Sequence, residues 1–321
     1  MIKQQTVFLE PKTQAFIDAV NAPGGAPLYK LSYPDARKLL EDAQAGPIDA
    51  PAADIEDRDL ATGPGGKVSV RIFRPQGAKG ALPAVMYFHG GGWILGSKQT
   101  HDRLLRDLTA ATGAAFVFVN YTPSPDAQFP VPIEQAYAAT KYVAEHAEEF
   151  NLKAAKLALC GDSVGGNMTA AVTLLAKERG GPALRYQVMF YPVTDASLNT
   201  ESSHQFAEGP WLTRGAMQWM WDAYAPNHAD RKQIVASPLL ATAEQLRGLP
   251  PALLITDEND ILRDEGEAYA RNLALAGVRV TAVRFVSTFH DFVMLNGLAE
   301  TPATRGAILL ASAELREALA K

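Results

Sequence analysis

Short apolar runs alternate with longer stretches of helical period from Val68 to the C-terminus. Runs of four to seven residues, rich in Val, Phe, Leu and Ile, occur at Val68–Phe73, Ala84–Phe88, Ala115–Asn120, Leu157–Cys160, Gln187–Tyr191, Ala252–Thr256 and Val280–Val286. Such runs, bounded by Gly, Pro, Asn or Asp, predict buried strands. Between them, apolar positions spaced near 3.6 predict helices over Lys98–Thr112, Pro132–Glu148, Gly165–Glu178, Asp264–Ala276 and Thr301–Leu319. Strand and helix in alternation imply an α/β fold, a mostly parallel sheet covered on both faces. Residues 1–55 read differently: they are rich in Ala and Pro, with helical spacing over Pro11–Val20 and Tyr33–Gln44. Ser32 stands where it would cap the second helix. The expected organisation is therefore an N-terminal helical segment over 1–55 and an α/β domain over 56–321.

Asp195 to Ala236 is too long for an ordinary connection between sheet strands. It carries Trp211-Leu212 and then Met217, Trp219, Met220, Trp221 and Tyr224 on a helical spacing. These residues suit a core-packing helix. They also suit an insertion that, with the N-terminal helices, caps a site at the strand ends.

Two glycine-rich turns carry the chemistry, and both fall at the carboxyl ends of expected strands, where open α/β sheets place their sites. Gly161-Asp162-Ser163-Val164-Gly165 fits Gly-x-Ser-x-Gly, a strand-to-helix turn that lifts a serine hydroxyl above the sheet. His89-Gly90-Gly91-Gly92-Trp93 lets the main chain approach a substrate with its N–H groups inward. Gly91, Gly92 and the N–H of Val164 are the expected oxyanion donors. A serine hydroxyl needs a general base and a carboxylate that orients it, in the chain order Ser, acid, His. Of six histidines, only His204, His228 and His290 follow Ser163. The first two lie in the polar insertion, whereas His290 follows the last strand. For the acid, Asp257 and Asp260 both follow Ala252–Thr256. Asp162 suits hydrogen-bonding support, and Asp264 and Glu265 suit the start of the next helix.

These stretches resemble the bacterial hormone-sensitive-lipase-like esterases, esterase family IV of the α/β-hydrolase superfamily. The resemblance rests on FHGGGW (88–93), GDSVGG (161–166), DILRDEG (260–266) and HDF (290–292), with fainter likeness in NYTPSPDAQFP (120–130) and FAEGPWLT (206–213). It implies the α/β-hydrolase fold with a helical cap, and it favours Asp260 over Asp257 as the partner of His290. The chain departs from the family pattern at Val164, usually Ala, at Asp291, usually Gly, and at Thr122-Pro123, usually Arg-Leu. None of these removes a catalytic group.

Composition narrows the rest. With 321 residues, 47% of them hydrophobic, the chain suffices for one large core. A net charge of −5 without a basic stripe argues against nucleic acid as a partner. The single cysteine, Cys160, ends a strand and reads as a small buried hydrophobe. Met1 to Glu10 lacks a leader's apolar core and no run is long enough to span a membrane, so a cytoplasmic location is expected. No metal-type Cys/His spacing occurs and no cofactor is implied. A homodimer is left open.

The expected function is hydrolysis of short-chain carboxylic esters by Ser163, His290 and Asp260. The expected pocket walls are Trp93, Tyr191, Phe206, Trp211 and Phe292. The alternatives are an amide or peptide hydrolase with the same triad, and a non-catalytic ligand receptor on the same fold.

Overall fold

The computed structural model describes residues 7–20 and 26–320. The reading of Met1–Glu10 as lacking a leader's apolar core falls mostly outside them. The elements run α1 (Pro11–Val20), α2 (Tyr33–Ala43), β1 (Ala53–Leu60), β2 (Val68–Pro75), β3 (Leu82–Phe88), α3 (Asp102–Thr112), β4 (Ala115–Asn120), α4 (Val131–Glu145), β5 (Leu152–Asp162) and α5 (Val164–Glu178). They continue with β6 (Gln187–Phe190), α6 (Glu201–Gln205), α7 (Arg214–Tyr224), α8 (Ala243–Leu246), β7 (Ala252–Asn259), α9 (Arg263–Leu275), β8 (Val280–Phe289) and α10 (Pro302–Ala320).

Eight strands form one sheet in the order β1-β2-β4-β3-β5-β6-β7-β8. β1 pairs antiparallel with β2, and β2 antiparallel with β4, while every later pairing is parallel. The central strands are apolar on both sides because helices cover both faces. Val85, Phe116, Val117, Ala158, Leu159, Val188 and Leu253 are all wholly buried.

The sequence pattern misses β1, whose residues Asp54, Glu56, Asp57, Arg58 and Asp59 carry no apolar run. It is an edge strand held by the β2 ladder. Asp57 pairs with Arg71 and Lys98, each at 2.7 Å. Charge on an exposed edge also discourages pairing with another chain. Ser32 caps α2 as expected, accepting from the Asp35 N–H. β5, β7 and β8 run beyond their expected ends to Asp162, Asn259 and Phe289. The chain therefore leaves the sheet immediately before Ser163, Asp260 and His290.

The N-terminal segment is docked by specific bonds. Arg37 donates to the carbonyls of Ile94 and Ser124, and Gln44 donates to those of Thr100 and Met294. Tyr33 stacks on Trp219 of α7 with ring centroids 5.2 Å apart. These contacts bring α2 and α7 together over the carboxyl ends of the strands.

Among the described residues, no helix is long and apolar enough to cross a membrane.

Candidate active site

The turn after β5 holds Ser163 at φ 56°, ψ −121°, a conformation costly for any residue with a side chain. It is locked from both sides: the Ser163 N–H donates to the Phe190 carbonyl, and its own carbonyl accepts from Asn167 and Val193. The turn closes only because Gly165 has no side chain. A Cβ there would lie 1.9 Å from the Phe88 carbonyl oxygen, so β3 and the start of α5 could not approach. The same turn points Ser163 into the head of α5, whose unpaired N–H groups and dipole favour negative charge.

Three groups from three strand ends meet here. The Ser163 hydroxyl lies 2.9 Å from His290 Nε2, and His290 Nδ1 lies 2.8 Å from Asp260 Oδ2. A carboxylate accepts, so Nδ1 carries a proton, and when the ring is neutral its Nε2 faces the serine hydroxyl as an acceptor. The other Asp260 oxygen accepts the Leu262 N–H at 3.0 Å, which fixes the carboxylate plane. Burial alone would lower the His290 pKa, but Asp260 and then Asp291 outweigh it and raise the imidazole to about 9.

Asp257, the competing acid, is wholly buried close to this pair. Ligand-type atoms of Asp257, Asp260 and His290 all lie within 4.8 Å of one another. Yet neither Asp257 oxygen has a hydrogen-bond partner among the described residues. Burial, reinforced by Asp260 and Asp291, holds its carboxyl well above the usual carboxylate range and so favours the neutral form.

Asp162 supports the other side of the site. It accepts from the Tyr87 hydroxyl at 2.7 Å and the Gly90 N–H at 3.0 Å, and His101 Nε2 lies 3.3 Å from its second oxygen. The carboxylate thus ties the glycine loop after β3 to the serine turn. Burial pushes its pKa up, but His101 and Tyr87 more than reverse this. In that loop Gly91 and Gly92 sit at φ 101° and 64° and line the cavity above Ser163. Among the described residues, the N–H groups of Gly91, Gly92 and Val164 find no acceptor. Three unengaged donors beside a serine hydroxyl are what a developing oxyanion requires.

The cavity over Ser163 has a volume of about 560 Å³. Its walls are largely aliphatic, with Leu28, Leu39, Leu40, Leu95, Leu212 and Met220 among them. Trp211 lines it, as the sequence suggested. Trp93, Tyr191, Phe206 and Phe292 are not among the described residues that line it.

Each of the four fills the packed shell around the site. Trp93 stacks on Tyr224 with centroids 3.9 Å apart, and Tyr191 meets the His290 ring edge-on at 4.9 Å. Phe292 lies between Tyr191 and Phe285, and Phe206 lies under the Arg263 guanidinium. Large aromatics next to strand ends are drawn into the densest packing. The missed aliphatic lining had a readable signal: Ala36, Leu39, Leu40 and Ala43 recur on one face of α2.

Asp264 and Glu265 lie in the first turn of α9, as expected, and also hold the chain ahead of it. Asp264 accepts the Ser202 N–H at 2.7 Å, and Glu265 accepts the N–H groups of Thr194 and Asp195 at 2.7 and 3.0 Å. They tie residues 194, 195 and 202 to α9.

A serine hydroxyl, an imidazole and a carboxylate in this relay, facing free main-chain donors, constitute the apparatus of acyl transfer. The chain matches a family model described as an alpha/beta hydrolase fold over residues 85–294. It is 35% identical to an ethyl acetate hydrolase of Pseudomonas putida, over 95% of this chain and 98% of that one. It is 34% identical to the carboxylesterase NlhH of Mycobacterium tuberculosis, over 88% and 89% of the two chains. Among solved structures, a thermostable esterase from Pseudomonas putida ECU1011 superposes with a TM-score of 0.96 at 50% identity, covering 98% of this chain and 99% of that one. The chain belongs to the α/β-hydrolase family, in its hormone-sensitive-lipase-like esterase branch, and is a serine hydrolase of the carboxylesterase type.

Proposed function

We propose that the protein hydrolyses short-chain carboxylic esters through an acyl-enzyme on Ser163. The observation that carries this reading is the unbroken Ser163–His290–Asp260 relay at the floor of a small apolar cavity. His290 takes the hydroxyl proton as Ser163 attacks the ester carbonyl. The N–H groups of Gly91, Gly92 and Val164 hold the resulting oxyanion, and Asp260 stabilises the imidazolium. The alcohol leaves with the proton from His290, and water repeats the sequence on the acyl-enzyme. The N-terminal helices and the 195–236 insertion act as the cap, since the lining residues above Ser163 come from both.

Support for short acyl chains comes from the enclosure. A cavity of about 560 Å³ lies within the range of small-molecule sites, about 300–1,000 Å³, and must hold both halves of the ester. Each productively buried methylene adds at most about 0.8 kcal/mol, while overfilling costs about 1–3 kcal/mol. On a panel of p-nitrophenyl esters, kcat/KM is expected to peak at acyl chains of about two to six carbons and fall sharply beyond about eight. A preference for twelve carbons or more would overturn this picture of cap and pocket. Matched amides are expected to turn over far more slowly than the esters.

The pH dependence follows from the raised imidazole. Only neutral His290 acts as base, so kcat/KM rises with pH through its ionisation, whose midpoint is expected at about 9. Activity at neutral pH is therefore expected to be a fraction of its alkaline plateau. A profile already at its plateau below the ordinary histidine range would contradict this role for His290 and its two acidic neighbours.

A further inference from the structure

We infer that Gln44 and Arg103 are positioning residues for His290, and that the N-terminal cap segment, by docking through Gln44, completes the placement of the base. The inference rests on the reading of His290 as general base to Ser163. β8 ends at Phe289, so His290 takes its place from the turn that follows it. That turn is stiff: the N–H groups of Met294 and Leu295 both donate to the Asp291 carbonyl, at 2.9 and 3.0 Å. A stiff turn held at its far end also fixes the residue at its near end.

Two buried side chains hold that far end. Arg103 of α3 donates from one nitrogen to the carbonyls of Val293 and Met294, each at 2.8 Å, and from Nε to Asn296 Oδ1 at 3.3 Å. Gln44, which closes α2, donates to the same Met294 carbonyl at 2.9 Å and accepts the Asn296 N–H at 2.8 Å. Its own main-chain carbonyl accepts from the Asn296 side chain at 3.0 Å. A buried guanidinium is costly unless it is paired and its donors are used. Asp107 pairs with it at 3.2 Å, and the histidine turn takes the other donors.

The same side chains lead back to the nucleophile. Gln44 also donates to the Thr100 carbonyl at 2.7 Å, and the next residue, His101, reaches Asp162 beside Ser163. The serine turn, the head of α3, the end of α2 and the histidine turn are thus joined by one continuous set of bonds. These bonds fix the 2.9 Å between the Ser163 hydroxyl and His290 Nε2. Ala36, Leu39, Leu40 and Ala43 of α2 line the cavity, so the segment that covers the substrate also holds the base.

The test is Gln44→Met, which keeps the shape and removes the side-chain bonds, beside Arg103→Met, Arg103→Lys and Asn296→Ala. Misplacing a catalytic group by about 1 Å costs about a hundredfold. With p-nitrophenyl acetate, kcat per phosphonate-labelled Ser163 is expected to fall at least about tenfold in Gln44→Met and Arg103→Met, with KM within about threefold. The phosphonate should still label Ser163 to completion, but at a rate that falls in step with kcat, since labelling needs the same base. Arg103→Lys keeps a cation beside Asp107 and donors for both carbonyls, and should hold kcat within about threefold of wild type. Asn296→Ala, at a half-buried position, covers the case in which a buried substitution does not fold, and should lower kcat severalfold.

A purely structural role would lower the thermal midpoint and leave kcat per labelled site unchanged. A kcat within about twofold of wild type in every folded variant among Gln44→Met, Arg103→Met and Asn296→Ala would therefore overturn the inference. So would a raised KM at unchanged kcat, the mark of a segment that only covers the substrate. Failure of the phosphonate to label wild-type Ser163, or normal turnover by His290→Ala, would instead refute the base on which the inference depends.

Discussion

Ser163→Ala is expected to abolish practical esterase activity, lowering kcat by at least about a thousandfold while leaving the fold intact, because relay members act as a unit. Removing the hydroxyl leaves His290 with nothing to deprotonate, and the glycine-loop donors can then assist only direct attack by water. The fold should survive because the turn is held by main-chain bonds, from Ser163 N–H to Phe190 and from Asn167 and Val193 to the Ser163 carbonyl. Alanine keeps all of these. A serine-directed phosphonate should label the wild type at Ser163 alone and leave the variant unlabelled. Near-normal turnover by the alanine variant, or its labelling elsewhere in the cavity, would remove Ser163 from the mechanism.

Ser163 was legible because a strained serine turn needs glycines at fixed offsets, and a glycine requirement is local in sequence. The same holds for the loop at Gly90 to Gly92. His290 followed from chain order and from its place after the last strand, since topology limits which histidine can reach a serine at the strand ends. The pocket was less legible. Aromatics are prominent in a sequence, but whether Trp93 faces a cavity or stacks on Tyr224 depends on packing between segments far apart in the chain. Three-dimensional packing sent Trp93, Tyr191, Phe206 and Phe292 into the shell, and gave much of the lining to the leucines of residues 28–40. β1 escaped for a related reason. A charged edge strand has no apolar signature of its own and is specified by the partner it pairs with.

Asp257 and Asp260 were the closest contest, since both carboxylates follow the same strand and the residues alone leave either open. The structure separates them by bonding, since Asp260 holds His290 and the Leu262 N–H while Asp257 has no partner among the described residues, and this gives opposite expectations for the same conservative substitution. Asp260→Asn puts an amide where His290 Nδ1 needs an ionised acceptor. The imidazole loses its partner charge and tends to the wrong tautomer, an effect worth about 10⁴ in kcat in other serine triads. It should also lower the kinetic pKa of His290 from about 9, because Asp260 is the foremost group raising it. Asp257→Asn replaces a buried carboxyl whose surroundings favour the neutral form by a neutral group of nearly the same shape. Neither Asp257 oxygen has a bond to lose among the described residues. Its kcat should stay within about tenfold of wild type, since no charge in the relay changes. Its thermal midpoint should not fall, since an unpartnered buried acid contributes no bond to the folded state. Steady-state kinetics and pH profiles on the two variants decide the matter. If Asp257→Asn is the more damaging, the orienting carboxylate sits three residues earlier in the loop, and the 2.8 Å bond between Asp260 and His290 is not the one that matters in turnover.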